Sequence, residues 1–248
     1  MKLLLDIGNS SVNWASEKKS QFFSQGSFIY DKNNFENSLE KNISLTKNVS
    51  KILVSNVAGL EIFNSLGSWV KKHGPLELWQ SCVEKKFKGL KTSYSETQQM
   101  GIDRWLSMVA GWEKHQSSLC VVSCGTALTI DSVDSKGNHL GGYIVPGIDL
   151  MQKILITNTE KININIGNNP SIDYASDTKT AVNNGAFFAS VSIIDRVVNK
   201  LSTELGGMPK CIISGGNASL IKPLLEHRFE YEPNLVLRGL LIAHNTSI

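Results

Sequence analysis

Leu3-Leu4-Leu5-Asp6-Ile7-Gly8-Asn9-Ser10-Ser11-Val12 and Cys120-Val121-Val122-Ser123-Cys124-Gly125-Thr126-Ala127-Leu128-Thr129 are the two stretches that decide the fold of this chain. Each is an apolar run that stops at glycine beside hydroxyl or amide residues and then resumes, the pattern of two antiparallel strands around a tight turn. Outward from the first turn, strands are expected at 3–7, 12–15 and 22–30, a polar helix at 33–45, a buried strand at 51–55 and a further strand at 76–79. Between the last two, residues 59–72 carry Leu60, Phe63, Leu66, Trp69 and Val70 at helical spacing. Outward from the second turn the order returns: strands at 119–124, 128–132 and 139–145, helices from 148 and over 180–205, a strand at 210–214 and a closing helix at 235–244. A second echo pairs Val54-Ser55-Asn56-Val57-Ala58 with Ile213-Ser214-Gly215-Gly216-Asn217. Half-chain duplication is the economical explanation. The expectation is an α/β fold of two similar domains with mixed sheets, residues 1–117 and 118–248, and a ligand cleft between their glycine turns. The Asn-rich segment 157–171 reads as a surface loop.

Composition narrows the function classes. With 248 residues, 41% hydrophobic and 19% charged, the chain resembles ordinary globular enzymes rather than disordered or fibrous proteins. A net charge of +3 is too small to make nucleic acid or an anionic membrane its main partner. Cys82, Cys120, Cys124 and Cys211 form no CxxC pair, and the five histidines share no ligand spacing, so a structural zinc site is not expected. The N-terminus reaches Asp6 before a signal-peptide core could form, and no apolar run has membrane-spanning length, which places the protein in the cytoplasm.

The candidate chemistry lies at the turns. A turn of Gly with Asn, Ser or Thr offers backbone N–H groups and short donors to an anion, and Gly lets phosphate approach closely. Asp6, at the strand end beside it, is placed to hold Mg2+ while the ion bridges phosphate oxygens. Further on, Gly101-Ile102-Asp103-Arg104-Trp105 opens a helix with an apolar stripe of Trp105, Met108, Val109 and Trp112, which suits either core or a dimer surface. Asp103 can be a dipole partner in a first turn or a catalytic carboxylate. Arg104 can be a surface charge or a planar clamp for a substrate carboxylate.

Five motifs in register, Asp6-Ile7-Gly8-Asn9-Ser10, Tyr94 ahead of Gly101-Ile102-Asp103-Arg104, Cys124-Gly125-Thr126-Ala127, Gly141-Gly142-Tyr143-Ile144-Val145-Pro146-Gly147 and Asn184-Gly185-Ala186, resemble the type III pantothenate kinase family over nearly the whole chain. The resemblance implies two actin-like ATPase (RNase H-like) domains, usually in a homodimer. It also implies transfer of the ATP γ-phosphoryl to pantothenate, the first step of coenzyme A synthesis. By the same resemblance Asp103 is the general base and Asp6 the metal ligand. ATP falls to Asp6, Ile7, Gly8, Asn9, Ser10, Ser11, Val12, Asn13, Gly125 and Thr126, and pantothenate to Tyr94, Gly101, Ile102, Asp103, Arg104 and Thr178. Ser214-Gly215-Gly216 matches a segment near adenosine.

One position departs from the family pattern. Ser123 stands where the family usually has an acidic residue associated with a monovalent cation, and a hydroxyl cannot neutralise K+ or NH4+, so that cation site is in doubt. Ser123 is also the one feature that favours a non-catalytic accessory protein of the same fold, against the presence of Asp6, Asp103, Arg104 and Thr126 together. A sugar or acetate kinase on the same scaffold is a second rival. An RNase H-like nuclease would need clustered carboxylates for two metals, and the first half offers only Asp6 at a suitable strand end.

Overall fold

A computed structural model describes residues 1–45, 48–158 and 169–246. The chain forms two compact units, one from Met1–Phe87, Tyr94–Ala110 and Asn234–Ile248, the other from Lys88–Ser93 and Gly111–Pro233.

The first unit begins with β1 (Lys2–Ile7), β2 (Ser11–Lys18) and β3 (Gln21–Ile29), followed by α1 (Phe35–Asn42), β4 (Lys51–Asn56), α2 (Leu60–Lys72) and β5 (Glu77–Gln80). Its sheet runs β3-β2-β1-β4-β5. The hairpin strands are antiparallel, and β4 and β5 extend the sheet in parallel. Strand alternation divides β1 between two faces. Leu3, Leu5 and Ile7 enter a core with Phe35, Leu39, Leu66 and Trp69 from α1 and α2. Leu4, also fully buried, and Asp6 belong to the opposite face. A strand buried on both faces reads as one continuous apolar run, which is why Leu-Leu-Leu and Ile-Leu-Val stand where they do.

Two short strands, β6 (Lys86–Phe87) and β7 (Leu90–Lys91), precede α3 (Ile102–His115). The stripe Trp105, Met108, Val109 and Trp112 is buried within the chain itself, which settles its role as core.

The second unit repeats the plan. β8 (Leu119–Cys124), β9 (Ala127–Val133) and β10 (His139–Pro146) are followed by α4 (Ile148–Asn158), α5 (Thr178–Leu205), β11 (Lys210–Ser214), the short α6 (Ala218–Ile221) and β12 (Glu230–Tyr231). The sheet order β10-β9-β8-β11-β12 has the topology of the first. Cys120, Val122 and Cys124 pack with Phe187, Ile194 and Val198 of α5. α5 starts two residues earlier than its apolar spacing suggests, because the Asp177 side chain accepts from Thr180 N and caps the first turn. It ends at Gly206 in the left-handed conformation. Of the expected loop at 157–171, residues 159–168 lie outside the described residues, and Thr157 belongs to α4.

The last helix, α7 (Leu235–Thr246), differs from expectation in its placement. It was assigned with residues 118–248, yet it packs on β1 and β4 and belongs to the first unit, so the units are discontinuous rather than cut once at 117. The face of β1 that carries Leu4 needs an apolar cover, and α7 supplies one with Leu237, Leu240 and Leu241 buried. Its Gly239 lies against the α3 backbone, where an added Cβ would sit 2.0 Å from the Leu106 carbonyl oxygen. Gly239→Ala must push α7 off α3, and we expect it to cost about 1–3 kcal/mol, read as a lower midpoint in urea.

Candidate active site

In the first unit β1 is the central strand, and its register places Asp6 opposite Asn13 on β2 and Ser55 on β4. Both neighbours turn their side chains onto the carboxylate. Ser55 Oγ donates to Asp6 Oδ1 at 2.9 Å, and Asn13 Nδ2 lies 3.4 Å from Oδ2. The following turn is closed by Gly8 N donating to the Ser11 carbonyl, and Tyr30 Oη donates to the Gly8 carbonyl at 2.7 Å. These bonds leave Asn9 and Ser10 exposed at the tip. Ile7 and Val12, offered as nucleotide residues by position, are fully buried core side chains, and Ile7 O accepts from Val57 N. At both positions the side chain belongs to the core and the backbone to the sheet.

Asp103 stands in the first turn of α3, where its Oδ1 accepts from Arg104 N at 2.9 Å. A Cβ on residue 101 would lie 2.6 Å from that same oxygen, so Gly101 is the residue that leaves room for this carboxylate rotamer. Ile102 is buried. Arg104 is buried as well, which excludes the surface-charge reading. Its Nη1 donates to Tyr94 Oη at 3.0 Å, and its Cζ lies 5.8 Å from the Tyr94 ring centroid. The Tyr94 carbonyl in turn accepts from Lys85 Nζ. The fold of this unit brings Asp103 close enough for its charge to act on Asp6, 97 positions away in the sequence. Burial, and after it the charge of Asp103, push the Asp6 carboxyl up to about 7, against the opposing bonds from Ser55 and Asn13.

The second unit places its own turn at the matching strand end. Gly125 N donates to the Ala127 carbonyl, and Thr126 is exposed. Two glycines from elsewhere rest on this turn. A Cβ on Gly147 would lie 2.2 Å from Gly125 O, and one on Gly215 would lie 2.5 Å from Cys124 O. Asn217 N donates to that Cys124 carbonyl, and the Asn217 side chain donates to Asp149 at the start of α4. Gly147 and Gly215 thus enclose the turn by close backbone approach. Ser123 is flanked in register by Thr129 and Ser214, hydroxyls where Asp6 has an amide and a hydroxyl. Thr178, exposed at the start of α5, lines an apolar cavity of about 510 Å3 with Met151, Leu155 and Val182.

Ser55 was not singled out as a functional residue. The only signal for it was the echo of Val54-Ser55-Asn56 in Ile213-Ser214-Gly215, which marked a strand end without indicating which carboxylate the hydroxyl serves.

A divalent cation fits the Asp6 end of this site. A buried carboxylate beside a second one gains from a cation, and Mg2+ typically takes one or two carboxylates with water and phosphate rather than an all-protein cage. No group of three or more His, Cys, Asp or Glu residues is poised for a metal among the described residues. No helix among them is long and apolar enough to cross a membrane.

Without a cation, an ionised Asp6 opposes folding. Its folded pKa of about 7 exceeds the ordinary 3.8, so the penalty is absent below about pH 3.8, grows as the pH rises and is complete above about pH 7. In metal-free buffer Asp6→Asn should therefore melt above the parent protein at pH 8, with the gap closing toward pH 4. A variant melting below the parent at pH 8 would show that Asp6 carries no such penalty.

The sequence profile of the type III pantothenate kinases matches residues 2–200. A protein of Nitrosococcus oceani named type III pantothenate kinase is 35% identical over 256 residues, spanning 100% of this chain and 95% of its own. One of the same name from Nitrosospira multiformis is 35% identical over 246 residues, spanning 99% and 92%. Among solved structures, MreB5 of Spiroplasma citri bound to AMPPNP aligns with a TM-score of 0.51 at 13% identity, covering 99% of this chain and 96% of its own, a likeness of fold alone. With the duplicated sheet topology, these matches assign the actin-like ATPase fold, and the chain belongs to the type III pantothenate kinase family.

Proposed function

We propose that this protein transfers the γ-phosphoryl group of ATP to the primary hydroxyl of pantothenate, giving 4'-phosphopantothenate for coenzyme A synthesis. The observation that carries this reading is the neighbourhood of Asp103 and Asp6. It joins a carboxylate suited to a substrate hydroxyl with one suited to the metal of a nucleotide, in a chain of this family.

Phosphoryl transfer rests on positioning and on neutralising charge. In this reading Asp6 holds Mg2+, which supplies positive charge to the phosphate oxygens when bound. Backbone N–H groups and short side chains at Asn9, Ser10 and Ser11 of the first turn and Thr126 of the second take phosphate, Gly8 and Gly125 leave room for its approach, and Asn13 holds the Asp6 carboxylate in place. Asp103 accepts the hydroxyl proton as the alcohol oxygen bonds to the γ-phosphorus and the bridging P–O bond breaks to release ADP. The Arg104 guanidinium, oriented by Tyr94 Oη, faces the pantothenate carboxylate, and Gly101, Ile102 and Thr178 shape the pocket. Asp6, Asp103 and Arg104 are all present, which leaves the non-catalytic alternative without support. The working form is a cytoplasmic homodimer. At Ser123 no carboxylate is available to a monovalent cation, and Thr129 and Ser214 add only hydroxyls, so K+ is dispensable or bound by carbonyls and water.

Asp103→Asn should lower turnover by about 10² to 10⁴ while calorimetry still detects pantothenate binding. Near-normal turnover would remove Asp103 from the mechanism. Activity measured with and without K+ or NH4+ at fixed ionic strength should change little; a strict requirement would overturn the reading of Ser123.

A further inference from the structure

The second unit contains a buried polar chain that the proposed reaction does not use. Asp131 on β9 and His139 at the start of β10 have side chains 3% and 0% exposed. His139 Nε2 lies 3.0 Å from Asp131 Oδ1, and Nδ1 lies 3.1 Å from Ser93 Oγ. A carboxylate only accepts, so Nε2 carries a proton toward Asp131, and Nδ1 is the ring atom that pairs with the Ser93 hydroxyl. A bulge between His139 and Gly141 interrupts the β9–β10 ladder here, the kind of irregularity that re-aims a side chain.

Ser93 ends the segment Lys88–Ser93, which the second unit grips along its length. Trp112 Nε1 donates to the Lys88 carbonyl at 3.0 Å. Lys91 N donates to the Gly137 carbonyl at 2.8 Å, and a Cβ on Gly137 would lie 2.5 Å from Gly89 O. Gly137, Asn138 and His139 thus run beside Gly89, Lys91 and Ser93, and the His139–Ser93 bond is the last fastening before Tyr94. The imidazole and the carboxylate are buried while Ser93 is exposed, so this surface serine is held from inside the second unit.

We propose that His139, oriented by Asp131, is a positioning residue that fixes Ser93 and so the backbone from which Tyr94 departs, setting the affinity for pantothenate. This rests on the assignment of Tyr94 and Arg104 to the pantothenate pocket.

Removing His139 outright would open a cavity beside a buried carboxylate and risk unfolding. His139→Gln instead keeps a donor for Asp131 and loses the link to Ser93, and Ser93→Ala breaks the same link from the exposed side. Each should raise KM for pantothenate roughly threefold to tenfold, the span of one neutral hydrogen bond, with kcat and KM for ATP within about twofold. The double variant should be no worse than either single one, and Ser93→Thr should restore the parent KM. Lowered melting temperature with unchanged KM in both single variants would overturn the proposal, as would labelling of Ser93 by a fluorophosphonate, which would make it an activated nucleophile. Hydrogen exchange provides a readout free of turnover: Ser93→Ala should exchange faster at residues 92–95, and unchanged exchange there would sink the idea. Should the parent protein phosphorylate no pantothenate, the assignment of function fails while hydrogen exchange still tests the anchor.

Discussion

The first unit depends on the register of its central strand. β1 has one antiparallel and one parallel neighbour, and each contributes a residue opposite Asp6, Asn13 from β2 and Ser55 from β4. A slip of one residue would exchange the faces of β1, sending Asp6 into the core with Phe35 and Trp69 and bringing Leu5 to the polar side. The apolar requirement at Leu3, Leu5 and Ile7 therefore fixes where the carboxylate points. Packing Leu3, Leu5 and Ile7 at about 1.5–3 kcal/mol each together outweighs the penalty on one buried carboxylate, and the strand holds Asp6 where solvation alone would not.

That placement carries a tension useful to a phosphotransferase. Asp6 is buried and feels the charge of Asp103, while Ser55 and Asn13 offset only part of the penalty. A positive charge placed beside Asp6 would relieve that penalty. The second unit builds the same strand end without the tension, because Ser123, Thr129 and Ser214 are neutral. Duplication has preserved the turn geometry in both units and left the acidic residue in one.

Glycine serves the second turn differently from the first. Tyr30 secures the first turn through the Gly8 carbonyl, whereas Gly147 and Gly215 enclose the second by close backbone approach. The first arrangement leaves the turn residues themselves as the contact surface. The second makes the turn as firm as the strands and helix starts resting on it.

The alternation of apolar runs, glycine turns and helical spacing sufficed to read the first sheet, four of the five strands of the second, their duplication and the family motifs, since strand and helix periodicity are local properties, whereas the two-residue β12 is too short to show a period. Gly-Ile-Asp-Arg was legible as a helix start for the same reason, and Asp177 as its counterpart on α5 was missed only by two residues. What the tertiary structure alone decided is non-local. α7 closes the first unit rather than the second, because the bare face of β1 is filled by whichever apolar helix can reach it. Ser55 meets Asp6 through the pairing of strands far apart in the chain, and Asp131, His139 and Ser93 converge from three separate segments. Side chains that meet only when the chain folds leave no period in the sequence, and their partners are set by register and packing.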